Sequence, residues 1–425
     1  MIGRASLSAG RVAGVRGATA FRHRNYRIFF AGQAVSLVGT WMQQVAQAWL
    51  VLQLTGDPFW LGIVAAAQFI PVMILGLFAG VAADALPKRQ TLVATQAVMM
   101  TLAILLTILT ATGLVQVWMI LVLAILLGCA NAVDMPVRQS FAIELVGRED
   151  IGNAVALNSA MFNGSRIVGP ALAGLTIGAF GVAAAFALNA LSFLAVIFAL
   201  LMLDDATLRT RPRIARPGSA SEVVENLVEG LRYVHRTPLV LLAVLVVGGV
   251  ATFGMNFSVL IPAFAVDDLA SGPAGFGFLM AASGVGALIA ALALAFRGKP
   301  HTSRIATGAI ILGLASMAMA AISTYATAVV LMVFIGYGGI SMAATANATI
   351  QLAVPDQLRG RVMSVYTTIF ASSAPIGGLM MGAIASGFGP AVAIAFGGVL
   401  SGLVGVVAAL WLRAQRATSL ATAAV

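Results

Sequence analysis

An all-α membrane protein of twelve spanning helices, in two pseudo-symmetric six-helix halves, is the fold class this sequence predicts. Three observations predict it. The first is composition: of 425 residues, 60% are apolar and only 9% charged, with a mean hydropathy of +1.01. A soluble domain carries about 25% charged residues, because a water-facing surface must be solvated. The second is a succession of apolar runs, each near the roughly 20 residues that cross about 30 Å of hydrocarbon. The third is the placement of basic residues, which collect on one face when twelve spans are threaded back and forth.

The runs lie at 28–53, 59–82, 90–112, 117–137, 153–178 and 182–203, then at 238–263, 274–296, 304–324, 327–352, 362–386 and 390–412. Of these, 153–178 and 362–386 carry enough polar residues to weaken the apolar pattern. An even count puts both termini on one side. With the N-terminus inside, 23 of the 24 Lys and Arg residues fall in inside segments, and the opposite loops hold acids such as Asp57, Asp267 and Asp268. A wrong count would scatter these charges over both faces. The chain then divides into an Arg-rich tail (1–27), a first bundle (28–203), a linker (204–237), a second bundle (238–412) and a tail (413–425), with both termini cytoplasmic. The linker begins with Asp204 and Asp205, passes a Pro/Arg stretch and becomes amphipathic through Val223, Val224, Leu227, Val228, Leu231 and Val234. Ser219 and Glu222 have the spacing of a capping box.

The 45 glycines suit helices that pack closely in lipid. The halves echo one another: Arg148-Glu149-Asp150-Ile151 before span five parallels Pro355-Asp356-Gln357-Leu358 before span eleven, and both spans end on Phe-Gly, at Gly181 and Gly389. Two related halves with a site near midplane between them are the build of many transporters. The net charge of +10 is topological and attracts anionic lipid headgroups; no basic face carries the interleaved aromatics of a nucleic-acid surface. Cys129 is the single cysteine, so no intrachain disulfide forms. The N-terminal tail lacks the separate apolar core of a signal peptide.

Polar residues inside spans mark candidate function. Arg166 is the one basic residue placed well inside the membrane, where a charge is costly and faces a cavity by default. It shares a face with Ser159 and Asn163. Binding of an anionic or polar substrate group is one role; pairing with Asp134 is the structural alternative. In span one, Gln33, Ser36, Thr40, Gln43 and Gln47 follow a 3, 4, 3, 4 spacing that keeps them on one face. That face either lines the cavity or bonds neighbouring helices. Asn256 and Tyr337 are further cavity candidates. Asp134 and Arg138 close span four and are candidates for ion coupling, although Pro136 between them is positioned to break a simple pair.

Between spans two and three, Gly80, Asp84, Lys88 and Arg89 stand in the pattern Gly-x-x-x-Asp followed by a basic pair. This resembles the loop motif of the major facilitator superfamily. Val354-Pro-Asp356-Gln-Leu-Arg359-Gly-Arg361 resembles the matching stretch before span eleven, whereas Arg297-Gly-Lys-Pro-His lacks the equivalent aspartate. The resemblance implies a cytoplasmic latch formed by Gly80, Asp84, Lys88 and Arg89 with Asp356, Arg359 and Arg361. Ser165-Arg166-Ile-Val-Gly169-Pro170-Ala-Leu-Ala-Gly174 resembles the Gly-Pro motif of superfamily exporters, with Ser165 and Ala173 where glycines stand in that motif. A helix-packing kink is its bland reading. The stretch from Asn131 to Pro170 is similar to the bacterial branch that includes siderophore exporters. That resemblance implies a secondary active exporter of a drug- or siderophore-like molecule, working by alternating access in the bacterial cytoplasmic (inner) membrane. H+ is the candidate coupling ion and a monomer the expected unit. Nutrient uptake, or a non-transporting receptor or scaffold, are the alternatives. The arginine that many proton-coupled drug exporters carry in span four is replaced by Ala124 or Ile125.

Neither lysine completes a phosphate-cradling loop. His23, His235 and His301 fall at span edges, apart from any paired carboxylates. No enzymatic activity, cofactor or metal is expected.

Overall fold

The computed structural model describes residues 19–83, 86–208, 220–297, 301–322 and 324–423. After a 3-10 turn at Thr19–Arg22 come α1 (Arg24–Thr55), α2 (Pro58–Ala83), α3 (Lys88–Ala111), α4 (Val117–Phe180) and α5 (Val182–Leu201). The linker helix α6 (Ala220–Arg236) follows, then α7 (Pro238–Gly254), α8 (Phe257–Asp267), α9 (Pro273–Arg297), α10 (Ser303–Ala320), α11 (Tyr325–Ala353), α12 (Asp356–Phe388) and α13 (Pro390–Ala423).

Twelve crossings are recovered from these helices in a way the hydropathy pattern conceals. The 64-residue α4 supplies two, because Gly147 breaks it with φ 76° and ψ 179°, a conformation glycine adopts without strain. The apolar runs suggested a loop from 138 to 152; instead the helix continues to Gly147. The reason is packing: Phe141, Leu145 and Val146 are buried in the core, so this stretch is anchored as helix. Span seven departs the other way. It is interrupted at Met255 and Asn256, separating α7 from α8. Gly377 of α12 presses its backbone against Thr252 and Asn256 there, and Asn256 Nδ2 donates to the Thr252 carbonyl at 2.7 Å. Broken helices at membrane depth are tolerated where protein covers the freed backbone. The C-terminal helix also runs past the expected end at 412, through Ala423.

Among the described residues, ten segments are long and apolar enough to cross a membrane. The two crossings outside that set are α1 and the second arm of α4, which carry the glutamine stripe and Arg166. Single-glycine turns at Gly181 (φ 82°) and Gly389 (φ 90°) end the second arm of α4 and its counterpart α12, repeating one device in both halves.

We call the end that holds Lys88, Gly147, α6 and Asp356 the basic end. There α6 lies on the second half: Gly230 faces the Arg361 carbonyl and Val234 is buried, while Val228 and Leu231 stay exposed. Ser219 lies outside the described residues, as does the side chain of Glu222, so the expected capping box is not part of this picture.

Candidate functional site

The halves meet chiefly along two crossings, α2 with α12 and the second arm of α4 with α9, with lesser contacts of α1 and α2 on α8. Both crossings are built from residues without bulk. Gly62 lies against the Gly378 backbone, and a Cβ on Gly382 would sit 3.1 Å from the Pro58 carbonyl oxygen. In the other crossing, a Cβ on Gly174 would sit 2.7 Å from the Pro273 carbonyl, and one on Gly284 would sit 2.9 Å from that of Arg166. Gly277 faces the Pro170 carbonyl between them. Small residues let helix backbones approach this closely.

One face of the second arm of α4 shows where the seam ends. Residues three and four apart share a face, so Ile177, Ala173, Pro170, Arg166, Asn163, Ser159 and Val155 form a continuous row. Ile177, Ala173 and Pro170 are buried; Arg166 and Asn163 are partly open; Ser159 is exposed and Val155 is 57% exposed. The facing row of α9 behaves alike: Gly277, Ala281 and Gly284 are buried, Leu288 and Ala291 partly open, Ala295 exposed. The halves are therefore closed together at the end opposite the basic one and parted towards the basic end. Arg166 stands where the seam opens.

The guanidinium carbon of Arg166 lies over the Trp41 ring, 5.9 Å from its centroid. Phe162, one turn from Arg166, meets Trp41 edge-on at 5.6 Å and is 46% exposed. Trp41 is held in place because Gly169 packs against its Cβ and against the Val38 carbonyl. The Gly169-Pro170 motif thus serves both neighbours, α1 through Gly169 and α9 through Pro170, with Gly174 one turn on.

The structural alternative for Arg166 does not form. Asp134 is buried and already occupied: its Oδ1 accepts from Thr95 Oγ1 at 2.7 Å and Gln96 Nε2 at 2.8 Å, and its Oδ2 accepts from Arg138 Nε at 2.8 Å. A second bond runs from the Arg138 guanidinium to the same oxygen. Pro136 does not spoil this pair. It removes only the backbone bond to Ala132, and α4 continues through it, so Asp134 and Arg138 remain one turn apart.

Part of the glutamine stripe faces α5. Gln33, Ser36, Gln43 and Gln47 are all buried, and Gln43 Oε1 accepts from Asn189 Nδ2 of α5 at 2.5 Å. Gly39 lies against Ser192 and Asn189, and Gly32 against Ala195 and Ala199, so this is the α1–α5 contact face. Thr40 donates to the Ser36 carbonyl of its own helix. Spacing defines a shared face but not the neighbour it meets; here the helix-bonding alternative describes Gln43. Asn163 donates to the Ser159 carbonyl at 2.8 Å, and Tyr337 is half-buried on α11. Asn256 is buried at the α7–α8 break.

At the basic end, each described pair stays within one half or its linker. Lys88 pairs with Glu144 at 2.5 Å. Arg89 pairs with Asp205 at 2.6 Å and donates to the Leu200 and Leu201 carbonyls, where the end of α5 favours a cation. Arg359 pairs with Asp356 at 2.6 Å and donates to the Gln351 carbonyl; Arg361 pairs with Glu229 of α6. Gly80 lies in α2 and its surroundings are outside the described residues, as is Asp84. No described ion pair joins the two halves.

Sequence reasoning missed Trp41 and Phe162, whose signal was an aromatic pair at midspan depth rather than at an interface. It also missed Thr95 and Gln96, adjacent polar residues inside span three. A clasp at the N-terminus was missed as well: His23 Nε2 lies 2.8 Å from Asp150 Oδ2, and Ala20 N donates to Asn153 Oδ1 at 3.0 Å. Hydrogen bonds from His23 and Thr19 hold the Asp150 carboxyl below its usual range.

Comparison with known proteins agrees with this architecture. Residues 16–424 match the family model described as transmembrane secretion effector. The multidrug efflux pump Tap of Mycolicibacterium fortuitum is 30% identical over 357 residues, 81% of this chain and 85% of that protein. The staphyloferrin A transporter of Staphylococcus aureus is 24% identical over 372 residues, 85% of this chain and 90% of that protein. Among solved structures, the POT family transporter PepTSo superposes with a TM-score of 0.72 at 13% identity, covering 93% of this chain and 98% of that one. The nucleoside transporter NupG gives 0.67 at 12% identity, over 90% and 98%. With a twelve-crossing fold, a glycine-packed seam between its halves and a family match along nearly its whole length, the chain belongs to the transmembrane secretion effector family of major facilitator superfamily transporters.

Proposed function

We propose that this protein exports small organic molecules from a bacterial cytoplasm by alternating access, with the basic end and both termini on the cytoplasmic side of the inner membrane. The observation that carries this reading is the seam: glycine-tight at the far end, parted at the basic end, with Arg166 at the fork. A transporter poised to load from the cytoplasm has this shape. The orientation rests on the basic residues, which mark the cytoplasmic side. Export is supported by relatives described as a multidrug efflux pump and a macrolide efflux protein.

Closing the basic end requires the rims to approach, and Asp84, Asp356, Arg359 and Arg361 are the groups we assign to that gate. A latch needs only a few kcal/mol of difference between two packed states. Coupling to an H+ gradient completes the reading.

The test is uptake into inverted membrane vesicles of a panel of drugs and siderophores, with and without a protonophore. Accumulation that collapses with the protonophore is the expected outcome. Accumulation instead in right-side-out vesicles would overturn export, and accumulation indifferent to the protonophore would remove the proton.

A further inference from the structure

Arg166 holds a charge in the spanning region that no described carboxylate pairs with. The acid deepest in the spans, Asp134, is taken by Thr95, Gln96 and Arg138. The remaining described acids lie at helix ends, beside the Gly147 break of α4, or on the linker helix α6. A cation away from bulk water needs a counter-charge and acceptors for its N–H groups. Among the described residues the Arg166 guanidinium makes no ion pair, and its carbon lies over the Trp41 ring, 5.9 Å from the centroid. A ring takes the face of a guanidinium and leaves the in-plane fork of N–H donors, which matches a carboxylate or similar oxyanion in bidentate fashion.

Beside that fork the surface is apolar and aromatic. Phe162 stands edge-on to Trp41 and is 46% exposed, one turn nearer the basic end than Arg166. The backbone of Arg166 is also where Gly284 of α9 makes the row's last close approach. A molecule seated on the guanidinium would therefore lie at the fork between the halves.

We propose that Arg166, Trp41 and Phe162 form the binding site for the transported molecule, and that its class is an organic anion with a planar apolar body. The oxyanion sits on the Arg166 fork and the apolar body lies along Phe162 and the open end of the row. No described acid stands at the site, so lipophilic cations are disfavoured there. This inference rests on the transport reading for its role, but binding itself needs neither direction nor coupling.

The test is equilibrium dialysis of the purified full-length protein in nanodiscs against three probes of one shape: 1-naphthoate, 1-naphthamide and 1-naphthylmethylammonium. Saturable naphthoate binding is expected, roughly tenfold or more tighter than naphthamide, with the ammonium weakest. Arg166→Gln is expected to erase the preference for naphthoate over naphthamide. Ammonium binding as tight as naphthoate, no saturable naphthoate binding, or an unchanged preference in Arg166→Gln would overturn the site. If that variant cannot be purified, the ranking of probes on the unaltered protein decides alone. Anion binding without vesicle accumulation would refute export and keep the site; accumulation of compounds with no anion preference would do the reverse.

Discussion

The two halves share a helical plan and differ in what they bury. In the first half the buried polar groups include amides and a carboxylate: Gln33, Gln43, Gln47, Gln96, Asn189 and Asp134. In the second, Asn256 aside, the buried polar side chains are hydroxyls: Ser283, Ser316, Ser341, Thr345, Thr349, Ser373 and Ser401. A hydroxyl can bond a carbonyl of its own helix, as Ser373 does with Ile369, and asks little of its neighbours. An amide or carboxylate in a low-dielectric interior demands partners from other helices. Both halves use close glycine packing, as at Gly32 with Ala195 and Gly313 with Gly398, but the first half adds specific bonds between the side chains of different helices. In the proposed binding site the recognition groups, Arg166, Trp41 and Phe162, all come from the first half.

If this contrast is correct, single substitutions should separate the halves by the size of their effect. The largest is expected at Asp134→Ala, which leaves the Arg138 guanidinium without its carboxylate. Losing one partner of a buried pair costs about 3–5 kcal/mol, so a sharply lowered melting temperature in detergent is the expected reading. Arg138 reaches further out than Asp134, and a melting temperature within a degree of the parent would mean that water replaces the carboxylate and the network is ornamental.

A smaller effect is expected at Gln43→Ala, which removes the bond from Asn189. Interhelical bonds of this kind in membranes average about 0.6 kcal/mol, read as a small shift in the midpoint of denaturant unfolding. Because both changes remove the same bond, a double variant with Asn189→Ala should lose less than the sum of the singles. A double variant that loses the full sum would show that the two amides act on separate partners.

Smallest is Thr349→Val in the second half. Thr349 Oγ1 is buried without a hydrogen-bond partner, so an apolar group of the same shape loses nothing. The expected change is within about 0.5 kcal/mol, the range of ordinary tolerated substitutions. Loss of several kcal/mol would erase the contrast between the halves.

How much of this was legible in advance varies by residue. The spans in which hydropathy dominates were readable because about 20 apolar residues have one use. The break at Gly147 was not, since its neighbours Val146 and Leu145 read as ordinary core. Nor was the interruption at Asn256, which depends on Gly377 pressing in from α12, more than a hundred residues away. Lys88 and Arg89 were legible as charges needing partners, but Glu144 and Asp205 as those partners were not. The stripe from Gln33 to Gln47 was legible as one face; that part of it meets α5 was decided by Gly32 and Gly39 fitting against Ala195 and Ser192.

By itself the sequence determined what each segment's solvent must be. Apolar length, positive residues confined to one set of loops and a single arginine within the spans follow from local free energies of transfer, which do not depend on which helices are neighbours. Only the tertiary structure decided which polar groups find each other. Asp134 goes to Thr95, Gln96 and Arg138, and Arg166 is left to Trp41 at the fork of the seam. Partnership depends on the rotation and approach of whole helices. Those are set by where glycines allow backbones to touch, a property of pairs of helices rather than of any one stretch of chain.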